Sequence, residues 1–200
     1  MKKISSGLVL LLFFSSLATM AQTEKGRWTI GAQVGNFQYS TQNEYYSFSG
    51  SLSPYAGYFV AKNLTIGAGI PLSLATHKYY DYHSNNTGIG ISPNVRYYFG
   101  NANLKPYAGL QYSYSRTHQR TRTGSQDTDA NGFASSFSPS IGLAYFLNHT
   151  VALNIGLNYI WQRYNSGNQN YDVDGKPVDS QTATSKYAMV AIGFDLFFGK

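Results

Sequence analysis

The sequence predicts an all-β protein, an eight-stranded antiparallel up-and-down transmembrane β-barrel with short periplasmic turns and long extracellular loops. Three observations support this prediction. Apolar residues alternate with small or polar residues, which is the period of a β-strand. Eight such segments occur along the chain, and the connections between them are alternately short and long. Short turns on one rim and long loops on the other are typical of barrels in bacterial outer membranes.

The alternation is clearest between residues 64 and 74. Even positions there carry Leu, Ile or Ala, whereas most odd positions carry Thr, Gly, Pro or Ser. The same pattern predicts eight strands, at residues 27–39, 47–60, 64–76, 87–99, 104–118, 132–146, 151–163 and 186–198. Each strand would have one apolar face and one small or polar face.

The first 21 residues are predicted to be a secretory signal peptide. Lys2 and Lys3 precede an apolar run at residues 8–17, and the small residues Thr19 and Ala21 occupy the positions that a signal peptidase recognises. Residues 22–200 then form a single barrel domain. The chain has no cysteine, which excludes disulfides, thiolate nucleophiles and cysteine-based metal sites.

The polarity of the two faces favours a membrane barrel over a soluble, lipocalin-like one. An eight-stranded barrel has an interior just wide enough to be filled by side chains, and the Gly, Ser, Thr and Asn face suits such an interior. The apolar face suits lipid. Aromatic residues gather at both ends of the predicted strands, as two belts: Tyr58, Phe59, Tyr97, Tyr98, Phe99, Tyr145 and Phe146 before the short turns, and Tyr112, Tyr114, Tyr159 and Trp161 toward the long loops. We therefore expect the protein in the outer membrane.

An internal repeat supports the same register. Three predicted periplasmic hairpins each begin with Ser-Pro, at Pro54, Pro93 and Pro139. Because proline cannot donate to the hydrogen-bond ladder, its shared position predicts a bulge or kink in these strands.

The last predicted strand must pair with the first, since an open edge in hydrocarbon leaves backbone groups unsatisfied. The stretch GFDLFF at residues 193–198 resembles the C-terminal signal that the barrel-assembly machinery recognises, with Gly193 followed by the bulky Leu196 and Phe198. Gly199 and Lys200 depart from many such signals, which end on the aromatic residue. Residues 22–200 as a whole resemble the outer membrane protein beta-barrel domain family, similar to OmpX and to the barrel of OmpA. This resemblance implies the fold and the assembly partner but no particular activity.

Four charged residues are predicted to face the lumen near the periplasmic rim: Arg27, Arg96, Lys105 and Asp195. Unpaired charges in a dry interior are costly, so we predict a salt-bridged plug around Asp195. The alternative is that water reaches each charge separately from the open end.

A second set lies beyond the outer aromatic belt. Continuing the alternation past Tyr114 places four basic or histidine side chains on the lipid-facing side of the fifth strand: Arg116, His118, Arg120 and Arg122. If the strand stays extended, these residues would reach the phosphates of lipopolysaccharide, which suit the planar guanidinium. The alternative is a solvated loop whose charges pair with Asp127 or Asp129.

No catalytic or metal constellation is predicted. None of His77, His83, His118 and His149 occurs in the His-x-Ser pattern of lipid A deacylases, and Asp81, His83 and Ser84 fall in a predicted loop. Residues 172–176 resemble the start of a calcium loop but lack the required glutamate. We expect no cofactor, no metal and no nucleic-acid partner.

The sequence therefore predicts a monomeric, non-enzymatic outer-membrane protein. Its expected role is membrane stabilisation or surface interaction, with outer-membrane lipid, lipopolysaccharide or external ligands at the loops and the barrel-assembly machinery as partner during biogenesis. Two alternatives stay open: a narrow porin-like channel for small solutes, and an outer-membrane lipid-modifying enzyme.

Overall fold

The computed structural model describes residues 23–167, 170–171, 177–178 and 182–199. The predicted signal peptide and the calcium-like segment at 172–176 lie outside the described residues. Within them, the strands are β1 (Trp28–Gln42), β2 (Tyr45–Ala61), β3 (Leu64–Gly69), β4 (Leu72–Tyr79), β5 (Tyr82–Tyr98), β6 (Leu104–Thr123), β7 (Gln126–Phe146), β8 (Val151–Asn165), β9 (Asn170–Tyr171), β10 (Pro177–Val178) and β11 (Thr182–Phe198). No helix in the described part of the chain is long and apolar enough to cross a membrane.

The strands close into an antiparallel ring with eight positions, as predicted. β3 and β4 share one position, because both pair with β2 on one side and β5 on the other. The ring closes at β1, which pairs with β2 and with β11, so that Trp28 lies opposite Phe198. β9 and β10 form a separate two-stranded hairpin.

The alternation sorts side chains between lipid and lumen. Along β11, Val190, Ile192, Phe194, Leu196 and Phe198 are exposed, whereas the residues between them are buried. An exposed band of large apolar side chains around a protein is the surface expected to meet lipid. Above its periplasmic end, the lumen receives mainly Gly, Ser, Asn, Gln and Thr, and these side chains fill the narrow interior.

The connections on the extracellular side differ from simple loops. The long polar segments after the first, third and fifth barrel strands continue as paired strands and end in two-residue turns, at residues 43–44, 80–81 and 124–125. Asn43, Tyr80 and Gly124 have positive φ at these turns, of 51°, 47° and 59°. Backbone pairing does not require apolar side chains, so the hairpins extend beyond the membrane after the apolar alternation has ended.

The three Ser-Pro prolines interrupt pairing without forming bulges. Pro93 lies opposite Ala68 of β3 but has no partner on β6, and Pro139 lies opposite Leu110 of β6 but has no partner on β8. In both cases the register is the same before and after the gap. The missing N–H removes a rung of the ladder but adds no residue, so of the predicted bulge or kink the bulge is absent.

The periplasmic aromatic belt needs a correction. Tyr58, Tyr97, Phe99 and Tyr145 face outward as predicted, but Phe59, Tyr98 and Phe146 are buried inside the barrel. Successive residues of a strand point to opposite faces, so two aromatic neighbours cannot both face lipid.

Candidate functional site

An aromatic cluster closes the periplasmic end of the lumen. Phe197 lies at its centre, with ring centroids 5.0 Å from Phe146 and 6.0 Å from Phe59. Tyr98 and Tyr107 complete the group, and all five side chains are buried. Packing of this kind excludes water from the lower lumen.

Asp195 lies directly above this cluster and is fully buried. Its Oδ2 is 3.4 Å from the Arg96 guanidinium and accepts a hydrogen bond of 3.1 Å from Asn154. The hydroxyl of Tyr55 donates to Oδ1. The Arg96 guanidinium also lies 4.5 Å from the ring centroid of Tyr107. This arrangement compensates a buried carboxylate by both an ion pair and hydrogen bonds.

Lys105 and Arg27 face inward but lie below this pair. The Lys105 ammonium is 2.8 Å from the Thr23 hydroxyl and 5.3 Å from the Phe146 ring centroid. Arg27 donates from Nη2 to the carbonyl oxygen of His149 at 2.9 Å. Of the three cations predicted to surround Asp195, only Arg96 reaches it, and the other two tie the periplasmic rim together.

The extracellular half of the lumen contains a cavity. This cavity has a volume of about 900 Å³ and is lined by serine, threonine, asparagine and glutamine together with eleven apolar or aromatic side chains. Among the described residues, none that lines it is charged. Small voids of about 80 and 30 Å³ separate this cavity from the Asp195 layer. The lumen is thus a polar cup with a closed floor.

Arg116, His118, Arg120 and Arg122 all project outward from β6, which stays extended to Thr123. Asp127 on β7 accepts from Arg120 at 2.8 Å and from Arg122 at 2.8 and 3.1 Å. These hydrogen bonds hold the pKa of the Asp127 carboxyl well below its usual value, with Arg122 as the largest cause and Arg120 next. The sequence analysis gave an extended arginine row and pairing with Asp127 as alternatives. In the structure the two occur together.

The remaining two members of the row differ from the Asp127 pair. His118 lies 3.7 Å from Asp129 and 3.0 Å from the side-chain oxygen of Asn131. Arg116 lies between Ile89 on β5 and Phe133 on β7, and it forms no ion pair or hydrogen bond with a described side chain. Among the arginines of this row, Arg116 is accordingly the one whose guanidinium is most available to an external ligand.

The residues of the predicted assembly signal lie in the closing strand. Leu196 and Phe198 face lipid opposite Ile30 and Trp28 of β1. Gly193 faces the lumen, where an added Cβ would lie 2.5 Å from the Ala32 carbonyl oxygen. In the finished barrel this glycine permits close approach of β1, whereas the two bulky residues belong to the lipid-facing surface.

The possible hydrolase residues do not converge. Asp81 is in a turn, His83 faces outward and Ser84 faces the lumen, where it accepts from Gln119 at 3.2 Å. Sequence analysis missed a Ser–His contact, between Ser47 and His77 at 3.0 Å across β2 and β4, but no described carboxylate bonds to this histidine. The described residues also contain no group of metal-ligating side chains.

Sequence analysis also missed the neutral partners of Asp195, namely Tyr55 and Asn154. Both lie on the inward face of their strands, and the alternation of each strand was the signal that could have placed them there. Their height relative to Asp195 depends on the strand register around the ring, which no local pattern encodes.

The comparisons with known proteins agree with this architecture. A family model described as "Outer membrane protein beta-barrel domain" matches residues 7–179. The beta domain of the Bordetella autotransporter BrkA is 11% identical, with a TM-score of 0.55, and 88% of this chain and 99% of that chain are covered. A major outer membrane protein of Thermus thermophilus is 11% identical, with a TM-score of 0.51 and coverage of 86% and 99%. Ail of Yersinia pestis is 9% identical, with a TM-score of 0.50 and coverage of 87% and 99%. No curated protein matches the chain in sequence.

Proposed function

The chain belongs to the outer membrane protein beta-barrel domain family and resides in the bacterial outer membrane, and on that premise we propose that it is a monomeric, non-enzymatic surface-interaction protein whose extracellular hairpins bind lipopolysaccharide phosphates. The observation that carries this proposal is the outward row of arginines on β6, immediately above the aromatic belt. Tyr114 and Phe133 stack there with ring centroids 6.3 Å apart, at the level where aromatic side chains meet lipid head groups.

Charge counting identifies which arginines would bind. Arg120 and Arg122 share the single carboxylate of Asp127, so the trio keeps one net positive charge. Arg116 has no carboxylate partner among the described residues and lies nearest the belt. A phosphate would therefore contact Arg116 first and then compete with Asp127 for the other two arginines.

The neighbouring strands add to the same field. Arg163 and Lys186 face outward on β8 and β11 near Trp161. On the other side of β6, Lys78 of β4 lies opposite His83 of β5 in the strand ladder, and His83 lies opposite Arg122. Clustered cations close to an anionic surface gain from its potential, and this gain weakens with salt.

The test is binding of purified lipopolysaccharide to the detergent-folded protein carrying Arg116→Glu, Arg120→Glu and Arg122→Glu. We expect binding to weaken strongly at low salt and less at high salt. Lys62→Glu is the control for a charge reversal at another site, because Lys62 is exposed at the opposite, periplasmic rim beside Glu24. Gel mobility with and without heating reports folding of each variant. Binding that is equal in the triple variant and the control at both salt concentrations would contradict the proposal.

Two further features support a binding role over the alternatives. The buried aromatic floor and the Arg96–Asp195 pair oppose solute flow through the lumen, which disfavours the narrow channel. The separation of Asp81, His83 and Ser84 disfavours a lipid-modifying hydrolase built on them. For biogenesis we propose that Leu196 and Phe198 serve the barrel-assembly machinery before they reach their lipid-facing positions.

A further inference from the structure

The seam between β1 and β11 is paired only in its periplasmic part. The ladder runs from Trp28 opposite Phe198 to Val34 opposite Ile192 and stops there. Both strands continue toward the outside, but among the described residues the backbone of β1 then pairs only with β2, and the backbone of residues 182–191 of β11 pairs only with β8. All these residues are described, so the unpaired stretch is a feature of the barrel wall.

The separation has a local cause in β1. The register between β1 and β2 shifts between Gly35 and Gln38, and Asn36 within this bulge has a positive φ of 52°. A bulge bends and twists its strand. The bend turns β1 away from β11 at the point where their pairing ends, and Phe37 in the bulge is 70% exposed.

The open stretch begins inside the membrane. Ile192, at the last paired rung, lies opposite Ile155 of β8, whereas Lys186 lies opposite Trp161. Trp161 stacks on Phe137 with centroids 5.7 Å apart, at the outer aromatic belt. The unpaired wall between Ile192 and this belt therefore faces the outer leaflet. Unpaired backbone groups facing hydrocarbon are costly unless polar groups reach them.

Two cavities lie on either side of the seam. A groove of about 370 Å³ on the lipid-facing side is lined by Val34, Gly35, Asn36, Phe37, Met189, Val190 and Ile192. The polar cup of the lumen shares Asn36, Phe37 and Met189 with that groove. These three side chains form the boundary between an apolar surface groove and an uncharged polar interior.

We propose that this seam is a lateral binding site for an uncharged, single-chain amphiphile from the outer leaflet. Its hydrocarbon chain would lie in the groove along Val190 and Ile192, and its hydroxylated head group would enter the lumen. Serine, asparagine and glutamine side chains there offer both donors and acceptors, and none of the described residues that line the cup carries a charge to attract an ionic head group. Met189 suits such a boundary because its unbranched thioether adapts to chains of different shape. The closed floor makes this a binding site rather than a path to the periplasm.

Photoaffinity labelling in nanodiscs tests the proposal. The probe is a monoacylglycerol with a diazirine in its acyl chain, and mass spectrometry maps the labelled residues. We expect adducts concentrated on residues 34–37 and 189–192. A lysophosphatidic acid with the same chain should label these positions much less, because its phosphate finds no cation in the cup. Adducts spread evenly over all lipid-facing strands, or equal labelling by the anionic probe, would overturn the proposal.

Gly35→Leu is the blocking variant. A Cβ at Gly35 would already lie 3.1 Å from the Met189 sulfur, so a leucine fills the boundary between groove and cup. Labelling should fall about tenfold, the scale expected when a well-fitted site is overpacked. Ala32→Leu is the matched control, since it places the same leucine side chain on β1 on the lipid-facing side at a paired rung. Met189→Trp closes the seam from β11 and replaces Gly35→Leu if that variant does not fold. Labelling that persists in a folded blocking variant at the level of the control would refute the site.

Discussion

Two aspartates of this protein each face arginine, at opposite ends of the barrel and in opposite surroundings. Asp195 is fully buried beside Arg96, whereas the side chain of Asp127 is 38% exposed between Arg120 and Arg122. The exposed contacts are the shorter ones, at 2.8 Å against 3.4 Å for the buried pair. Distance is therefore a poor guide to what each pair contributes, because the solvent around it decides the cost of losing a partner.

The surroundings also assign different roles. Asp195 has Tyr55, Asn154 and Arg96 as partners, and these contacts between four strands cross the lumen. Asp127 holds two arginines that are both more than half exposed and can exchange the carboxylate for an external phosphate. The buried pair closes the lumen, whereas the exposed ion pairs leave their arginines available to an external phosphate.

The largest expected effect is that of Asp195→Asn on stability. The substitution leaves the Arg96 guanidinium in the lumen without a carboxylate, and breaking a buried pair in this way costs about 3–5 kcal/mol. Urea unfolding of the barrel in lipid vesicles measures the loss. Asp127→Asn makes the same chemical change at the exposed site and should leave the unfolding free energy unchanged. Equal effects of the two substitutions would contradict the comparison.

A smaller effect is expected on lipopolysaccharide binding. Here Asp127→Asn, and not Asp195→Asn, is the substitution with the larger effect. Asp127→Asn removes the carboxylate that competes with phosphate for Arg120 and Arg122, so binding should strengthen by a few-fold at low salt. Asp195→Asn should leave binding unchanged in the folded fraction of the protein. The binding assay described above measures both variants. Weaker binding by Asp127→Asn would show that Asp127 positions the arginines rather than competing for them.

The smallest effect concerns pH. Because the pKa of Asp127 is lowered in the folded protein, its ion pairs are fully present above the ordinary aspartate pKa of about 3.9 and are lost only as the pH falls through the lower, folded value. Carbon-13 NMR of the Asp127 carboxyl should therefore show a midpoint below about 3.9. Arg122→Gln should raise that midpoint more than Arg120→Gln does, since Arg122 is the larger cause. A midpoint near the ordinary value in the unmodified protein would exclude persistent pairing in solution.

The alternation of the sequence was sufficient to predict the barrel, its eight positions, the lipid-facing side of each strand and the inward direction of Arg96 and Asp195. These features follow from a period of two residues and from the need to pair every backbone group in hydrocarbon. The same rule would also have sorted Phe59 from Tyr58, because neighbours in a strand point to opposite sides. Both were predicted to lie in the aromatic belt because residues near a turn were grouped together, without regard to which of them occupy alternate positions of the strand.

Three features depended on the tertiary structure. Asp195 meets Arg96 across the lumen because the registers accumulated around the ring bring β11 and β5 to the same height, while Lys105 and Arg27, equally inward, lie at the rim. The extracellular segments after the first, third and fifth barrel strands continue as hairpins because each strand pairs with its neighbour, although their side chains are polar. Backbone pairing between β1 and β11 ends above Val34, where β1 has a bulge against β2. The side of the sheet that a residue faces follows from its position in one strand. Its height in the barrel, the length of strand pairing and the closure of the barrel depend on all strands of the ring.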